Sequence, residues 1–206
     1  IRNLLKNRPE GKPFVHWLGT SDPHRGYAKG SGEKSGMDLS KIRLFPHYPD
    51  SLEIRGDVAD YYFEVQRFDK LVGNTIAALE EAGELDNTII VMSGDHGMPF
   101  PRCKSNNYDS GARVPLAIRW PKKIKAGTVI NDFVSLIDLA PTYFEAAGIT
   151  VPEDISGRSL LPLFAGKDGG DRSFVIHGKE RHVPGQEKPD MGGYPTRAIR
   201  THDFLY

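Results

Sequence analysis

The chain of 206 residues predicts an α/β fold, and three consecutive features carry that prediction. Apolar residues recur at helical spacing from Asp57 to Ala82, a polar turn follows at Glu84-Leu85-Asp86-Asn87, and a β-branched run, Thr88 to Met92 (TIIVM), comes next. Helix, tight turn and buried strand form half of an α/β crossover unit.

Taken in order, Pro13 to Gly19 (PFVHWLG) is a short apolar run rich in β-formers and predicts a buried strand. Trp17 and Trp120 are expected in packing roles. The run stops at Thr20-Ser21-Asp22-Pro23, which is turn chemistry. Gly26 to Asp50, with its many Gly, Pro, Ser and Lys residues, predicts a long surface loop, and long loops in compact domains are often functional. Val58, Tyr61, Tyr62, Val65, Phe68, Val72, Ile76 and Leu79 then define one helix face, with Asp57 as the expected N-cap and Gly83 as the stop.

The TIIVM run predicts a strand buried on both faces, as in a parallel sheet. It ends at Ser93-Gly94-Asp95-His96-Gly97, and in open α/β sheets ligands bind beyond the carboxyl ends of strands. Val114 to Trp120 predicts a second strand stopped by Pro121. Asp132 to Gly148 predicts a helix with Pro141 in its first turn, and Gly157 to Phe164 a short helical segment. After Gly166 the composition shifts to Gly and Asp. A boundary near residue 168 therefore divides an α/β part, residues 1–167, from the start of a small α+β subdomain, residues 168–206, which opens with a strand at Ser173 to His177. Ile1 to Arg8 reads as the middle of a protein and Arg197 to Tyr206 as a strand or hairpin cut short, so truncation at both ends is the expectation.

Composition narrows the function classes. Lys plus Arg and Asp plus Glu both number 27, so no charge excess points to nucleic acid or an acidic membrane surface. The 38% hydrophobic content supports a core, and no stretch approaches the roughly 18 apolar residues of a membrane span. Cys103 is the single cysteine, so no internal disulfide forms and cysteine usage is silent on compartment. Oligomeric state has no signature.

The chemistry concentrates in Ser93 to Pro115 (SGDHGMPFPRCKSNNYDSGARVP). Asp95 and His96 are adjacent at a strand end, and a carboxylate beside an imidazole is a natural metal half-site. As a bare triplet, Asp-His-Gly reads equally as a strand-end cap with a surface histidine. Lys104 follows after a loop stiffened by Pro99 and Pro101, and a lysine ammonium is a compact charge suited to a tetrahedral oxyanion.

This segment resembles the sulfatase family of the alkaline-phosphatase superfamily. It matches Ser-x-Asp-His-Gly, then Lys, then Tyr-x-x-Gly-x-Arg-Val-Pro before a strand. Residues 134–148 (VSLIDLAPTYFEAAG) are similar to the family's Asp-Leu-x-Pro-Thr helix, and residues 157–163 (GRSLLPL) to its Gly-x-Ser-Leu-x-Pro-Leu segment. The matches run in order from about residue 13 to 182.

The resemblance implies a partial three-layer alkaline-phosphatase-like mixed sheet and hydrolysis of sulfuric esters. Asp95 and His96 match two of four ligands of a divalent metal, usually calcium; an imidazole in place of the commoner amide also suits zinc or manganese. Lys104 matches the basic residue that contacts sulfate. His24, in Ser21-Asp22-Pro23-His24-Arg25, matches a histidine that binds sulfate and protonates the leaving oxygen; without the resemblance it would only order its turn. Arg25 supports the loop or contacts substrate. Lys179, Arg181 and His182, in residues 177–182 (HGKERH), are candidate contacts to an anionic sugar or a solvated charged turn.

Family members use a Cys or Ser in a Cys/Ser-x-Pro/Ala-x-Arg motif, oxidised to formylglycine, as nucleophile. Ser21-Asp22-Pro23-His24-Arg25 fits the bare pattern but lacks the Thr-Gly and helix that follow it, and Cys103 lacks the Pro and Arg. No nucleophile is assigned within the chain, which is expected to be inactive alone. The wording around Asp22 to Arg25 and Pro99 to Pro101 is similar to the heparan N-sulfatase-like branch and suggests a sulfated saccharide, cleaved at an O- or N-sulfate in polysaccharide degradation. The resemblance also suggests a periplasmic or extracellular setting. Two alternatives stay open: a phosphatase or phosphodiesterase of the same superfamily, and a non-catalytic domain that binds sulfated glycans.

Overall fold

The computed structural model describes residues 1–167, 169, 171–180 and 195–206. The chain gathers into two units, Ile1–Leu85 and Asp86–Tyr206.

The first unit is organised by one long helix. Helices α1 (Arg2–Asn7) and α2 (Ser31–Lys34) precede α3 (Leu52–Glu81), which runs for 30 residues. The start of α3 lies more than a turn before the expected one. The Ser51 hydroxyl accepts from the Ile54 amide at 3.4 Å and is the N-cap. Asp57, expected in that role, sits inside the helix; the interrupting Gly56 hides the first turn in the sequence pattern. The helix stops as predicted at Gly83, whose φ is +69°. Of the predicted apolar face, Val58 and Leu79 are buried, together with Ala59 and Ala78. The predicted loop from Gly26 to Asp50 is largely irregular, with α2 and a 3-10 turn at Leu39–Lys41 set into it.

The strand predicted at Pro13 to Gly19 is not formed. Val15 and Trp17 are 96% and 92% exposed, and among the described residues this run has no strand partner. Strand preference expresses packing against paired neighbours rather than an intrinsic backbone tendency, so an unpaired β-forming run stays irregular.

In the second unit, β1 (Ile90–Ser93) pairs with β2 (Leu116–Arg119), with Ile90 opposite Arg119 and Ser93 opposite Leu116. The pairing is antiparallel where the TIIVM run suggested a parallel neighbour. The chain between the two strands reverses through a loop containing the short helix α4 (Asp109–Ala112), with no helical crossover long enough to return it parallel. Helices α5 (Leu139–Ala146) and α6 (Leu161–Phe164) follow, and β3 (Phe174–Lys179) pairs antiparallel with β4 (Thr196–Thr201). Leu160, Leu163 and Phe164 form a core cluster, against which Ile118 and Trp120 of the β2 region, Val134 and Leu139 pack.

Asp138 locks this core. It is fully buried, at 0% exposure. Its carboxylate accepts from the amides of Ser135 and Arg158, both at 2.8 Å, and from both terminal nitrogens of Arg172. One turn on, the Thr142 hydroxyl donates to the Asp138 carbonyl at 2.6 Å and accepts from the Leu160 amide at 2.8 Å. The Asp-Leu-x-Pro-Thr helix and the Gly-x-Ser-Leu-x-Pro-Leu segment are thus stapled together by these two side chains. Burial pushes the Asp138 carboxyl up, but the Arg172 guanidinium and the two amides outweigh it, and the carboxyl lies below its ordinary value.

Replacing Arg172 by Met leaves that carboxylate buried without its cation. The expected loss is about 3–5 kcal/mol, read as a fall in the urea unfolding midpoint. Because the folded-state carboxyl is depressed, its contribution is present above the unfolded value near 3.8 and is lost as pH falls through the folded value. The Arg172→Met penalty should therefore shrink at acid pH; a penalty that stays constant would show that the ion pair is not its source.

Candidate functional site

Two stretches carry the sequence candidates, one in each unit. In the second unit β1 ends at Ser93, whose hydroxyl donates to the Pro115 carbonyl at 2.9 Å and ties the strand end to the approach to β2. Asp95 and His96 follow. The His96 Nδ1 lies 2.9 Å from the Gly97 carbonyl oxygen. A carbonyl only accepts, so Nδ1 carries the proton. In the neutral ring the Nε2 lone pair is then left, 3.4 Å from Asp95 Oδ2. The Asp95 side chain is 88% exposed and that of His96 38%, so both are open to a ligand.

The loop beyond folds back through one close approach. The Gly97 amide donates to the Gly111 carbonyl at 2.9 Å. A Cβ on Gly97 would lie 1.9 Å from the Ser110 oxygen, and one on Gly111 would lie 2.3 Å from the carbonyl oxygens of both Cys103 and Asn106. Only glycine fits either position. Inside this closure Cys103 is fully buried and Phe100 nearly so, which makes Cys103 a packing residue of the loop.

Lys104 sits between two non-glycine residues of positive φ, Arg102 at 62° and Ser105 at 65°. Such conformations cost of order 1–3 kcal/mol each and persist where surrounding contacts enforce them. Those contacts are present. The Ser110 hydroxyl donates to the Arg102 carbonyl at 2.7 Å, the Lys179 ammonium donates to the Ser105 carbonyl at 2.7 Å, and the Lys104 amide donates to the Met98 carbonyl at 2.9 Å. The β3–β4 hairpin adds further ties: Asn107 donates to Thr196 at 3.0 Å, His177 Nε2 lies 3.0 Å from the Asn107 carbonyl, and Arg200 pairs with Asp109 at 3.0 Å. The sequence offered Lys179 as a sugar contact and missed this anchoring role. The signal was there in the strand alternation, which sets Val175, His177 and Lys179 on the less exposed face of β3. Arg181 and His182 lie outside the described residues.

In the first unit His24 lies in the turn that begins at Ser21. Its amide donates to the Ser21 carbonyl at 2.6 Å, and its Nδ1 lies 2.8 Å from the Arg25 carbonyl. Arg25 makes a bidentate pair with Asp57 at 2.9 and 2.8 Å and lies over the Tyr27 ring. Burial, then the Asp57 carboxylate, pushes the Tyr27 hydroxyl up to about 12, so it stays protonated as a donor toward Asp57 at 3.4 Å.

In the second unit the strand end thus presents an acid and an imidazole side by side, followed by a lysine loop with positive φ on either side of the lysine. The profile of the family described as Sulfatase matches residues 1–149, and the chain belongs to that family. It is 32% identical to the human N-sulphoglucosamine sulphohydrolase over 99% of this chain and 45% of that protein. Among solved structures, one described in complex with its substrate D-glucosamine-2-N,6-O-disulfate is 30% identical, with a TM-score of 0.63 over 81% of this chain and 34% of the other. A phosphonate monoester hydrolase from Silicibacter pomeroyi is 25% identical, with a TM-score of 0.64 over 84% of this chain and 37% of the other. The fold is thus part of an alkaline-phosphatase-like α/β domain. The chain spans less than half the length of the curated relatives it matches.

The close approach gives a direct test. Gly111→Ala should destabilise the second unit by about 1–3 kcal/mol and speed amide exchange at Lys104, because a methyl group there forces the loop open. Gly56→Ala, in α3 with nothing within 4 Å of the added carbon, should instead stabilise by about 0.5–1 kcal/mol. Equal effects of the two substitutions would show that the approach of Gly97 to Gly111 does not shape the loop.

Proposed function

We propose that the complete protein hydrolyses sulfuric esters, O- or N-sulfates, of a saccharide. The observation that supports this reading best is the Lys104 loop, strained on both sides and closed onto the Asp95–His96 strand end, in a chain of the sulfatase family. Two relatives point to the substrate class through their names, one an N-sulphoglucosamine sulphohydrolase and one an N-acetylglucosamine-6-O-sulfatase.

Asp95 and His96 fit a metal in the chemistry of their donors: an exposed carboxylate and an imidazole nitrogen left facing it. The resemblance makes them two of four ligands, and among the described residues no group of three or more His, Cys, Asp or Glu is placed to hold an ion. The resemblance assigns the other ligands, and the formylglycine nucleophile, to other segments of complete members. A divalent cation, calcium in this reading, would withdraw charge from the sulfate oxygens when bound.

Lys104 supplies a positive charge for a sulfate oxygen in this reading, and the tied backbone around it fixes the point from which its side chain starts. His24, whose ring is oriented by the contact of Nδ1 with the Arg25 carbonyl, protonates the leaving oxygen or nitrogen in this reading. Arg25, paired with Asp57, braces the His24 turn and contacts substrate in this reading. Lys179, Arg181 and His182 are proposed at the sugar side, Lys179 doubling as the tether of the Lys104 loop. The division into a catalytic-domain part, 1–167, and a C-terminal subdomain from 168 belongs to the same proposal. So does a periplasmic or extracellular setting, supported by an extracellular sulfatase among the relatives. No helix of the described residues is long and apolar enough to cross a membrane.

A second reading, hydrolysis of a phosphonate or phosphate ester, is favoured by the likeness to the phosphonate monoester hydrolase. Measuring turnover of glucosamine N- and 6-O-sulfates against a phosphonate monoester by the complete protein separates the two. The expected outcome is preference for the sulfates, with Lys104→Ala and His24→Ala each lowering kcat/KM by about 10²–10³-fold. Chelation should abolish turnover and calcium should restore it. Residues 1–206 alone should release no sulfate. Preference for the phosphonate, or full activity after both substitutions, would sink the reading.

A further inference from the structure

Four charged residues of α3, Asp57, Asp60, Glu64 and Arg67, recur at steps of three, four and three and so share one helix face. A charged stripe on a helix normally faces water. The two middle members of this one do not: Asp60 and Glu64 are only 3% and 5% exposed.

The stripe instead grips the chain between Asp22 and Gly32. Asp60 accepts from the amides of Gly30 and Gly32, both at 2.8 Å, and from the Ser31 hydroxyl at 3.3 Å. Asp57 takes the Arg25 guanidinium through both oxygens. Glu64 accepts from Arg67 at 2.8 Å, and the same guanidinium reaches Asp22 at 3.5 Å. Asp22 and Arg25 flank His24, so both sides of the histidine are fastened to one rigid helix.

The Glu64 end of this arrangement is a poor device for stability. Burial pushes the Glu64 carboxyl up, Arg67 opposes this, and the nearby Asp22 carboxylate pushes it up further. Two carboxyl groups sharing one guanidinium, with one of them buried, gain less than apolar side chains of the same volume would. What the arrangement provides is position.

We propose that Glu64 and Arg67 are positioning residues for His24: Glu64 fixes the Arg67 guanidinium, Arg67 holds the Asp22 carboxylate, and Asp22 sets the turn from which the imidazole projects. The proposal rests on the reading that His24 acts on the sulfate. It extends that reading by naming the side chains that aim the histidine. A displacement of about 1 Å in a catalytic group can cost on the order of 100-fold in rate.

A double-mutant cycle in the complete protein tests it. Arg67 has a side chain 57% exposed, so Arg67→Met spares the core. It should lower kcat by about tenfold to 100-fold with little change in KM. The penalty should vanish in the His24→Ala background, because only a group acting through His24 loses its effect there. Arg67→Lys should recover part of the rate, Glu64→Gln should fall between Arg67→Met and the wild type, and the His24 amide should exchange at least tenfold faster in Arg67→Met. An equal penalty with and without His24, or unchanged kcat in Arg67→Met, overturns the proposal. If His24→Ala itself leaves kcat intact, the sulfate role of His24 falls; amide exchange then decides the positioning role alone, and unchanged protection at His24 overturns it.

Discussion

The approach of the Gly97 amide to the Gly111 carbonyl is the constraint on which the candidate site depends. A strand end can present Asp95 and His96 without help, because both follow directly from β1. A lysine nine positions further on has no such guarantee. The chain between them must turn back, and it does so by bringing two backbone segments closer than any side chain permits. Cys103 and Phe100 fill the inside of the turn with apolar atoms, and the strained backbone at Arg102 and Ser105 is held by hydrogen bonds to its own carbonyls. Strain persists only where its surroundings over-determine it, and here one of the surrounding bonds comes from the C-terminal hairpin. The hairpin is therefore structural support for the lysine loop, whatever else it touches.

Both units use a buried carboxylate in the same way. Asp60 collects the amides that open α2, and Asp138 collects the amides of Ser135 and Arg158. In each case a single side chain satisfies backbone donors that would otherwise be buried without partners, which is a costlier state than the burial of a well-bonded carboxylate. Among the described residues no buried side-chain nitrogen or oxygen lacks a partner. The family resemblance at Asp138-Leu-x-Pro141-Thr142 thus has a folding explanation. Asp138 and Thr142 join two segments twenty residues apart and need touch no substrate.

The sequence showed the elements whose signals are local. Periodicity found α3, and the positive φ at Gly83, 69°, bears out its glycine stop; Gly148, at 70°, likewise follows the end of α5. It missed what depends on a partner. The Pro13 to Gly19 run has strand composition and no strand, because pairing is not written into one segment alone. The TIIVM run was likened to a strand of a parallel sheet, whereas β1 pairs antiparallel with β2, because an apolar run reports burial and not orientation. Asp57 looked like an N-cap only because Gly56 masked the turn before it; its real partner, Arg25, lies 32 positions away. The candidates Asp95, His96 and Lys104 could be singled out because they crowd into one segment with turn-forming neighbours. Arg67, Glu64 and Arg172 were not, because long-range ion pairs leave no spacing signature.

The Asp95–His96 pair also constrains what the site can bind. With Nδ1–H committed to the Gly97 carbonyl, the neutral imidazole turns its remaining lone pair toward the carboxylate at 3.4 Å. Two electron-rich atoms at that distance repel unless a proton or a cation lies between or beside them. In a mostly exposed setting water can relieve the repulsion, but a divalent ion relieves it better, since it draws on both donors at once. Two ligands alone give neither high affinity nor a choice of metal. Oxygen donors added to the pair would favour calcium, while further imidazoles would favour zinc. In the proposed site the pair would set the place of a cation, and the ligands that complete the shell would choose the element.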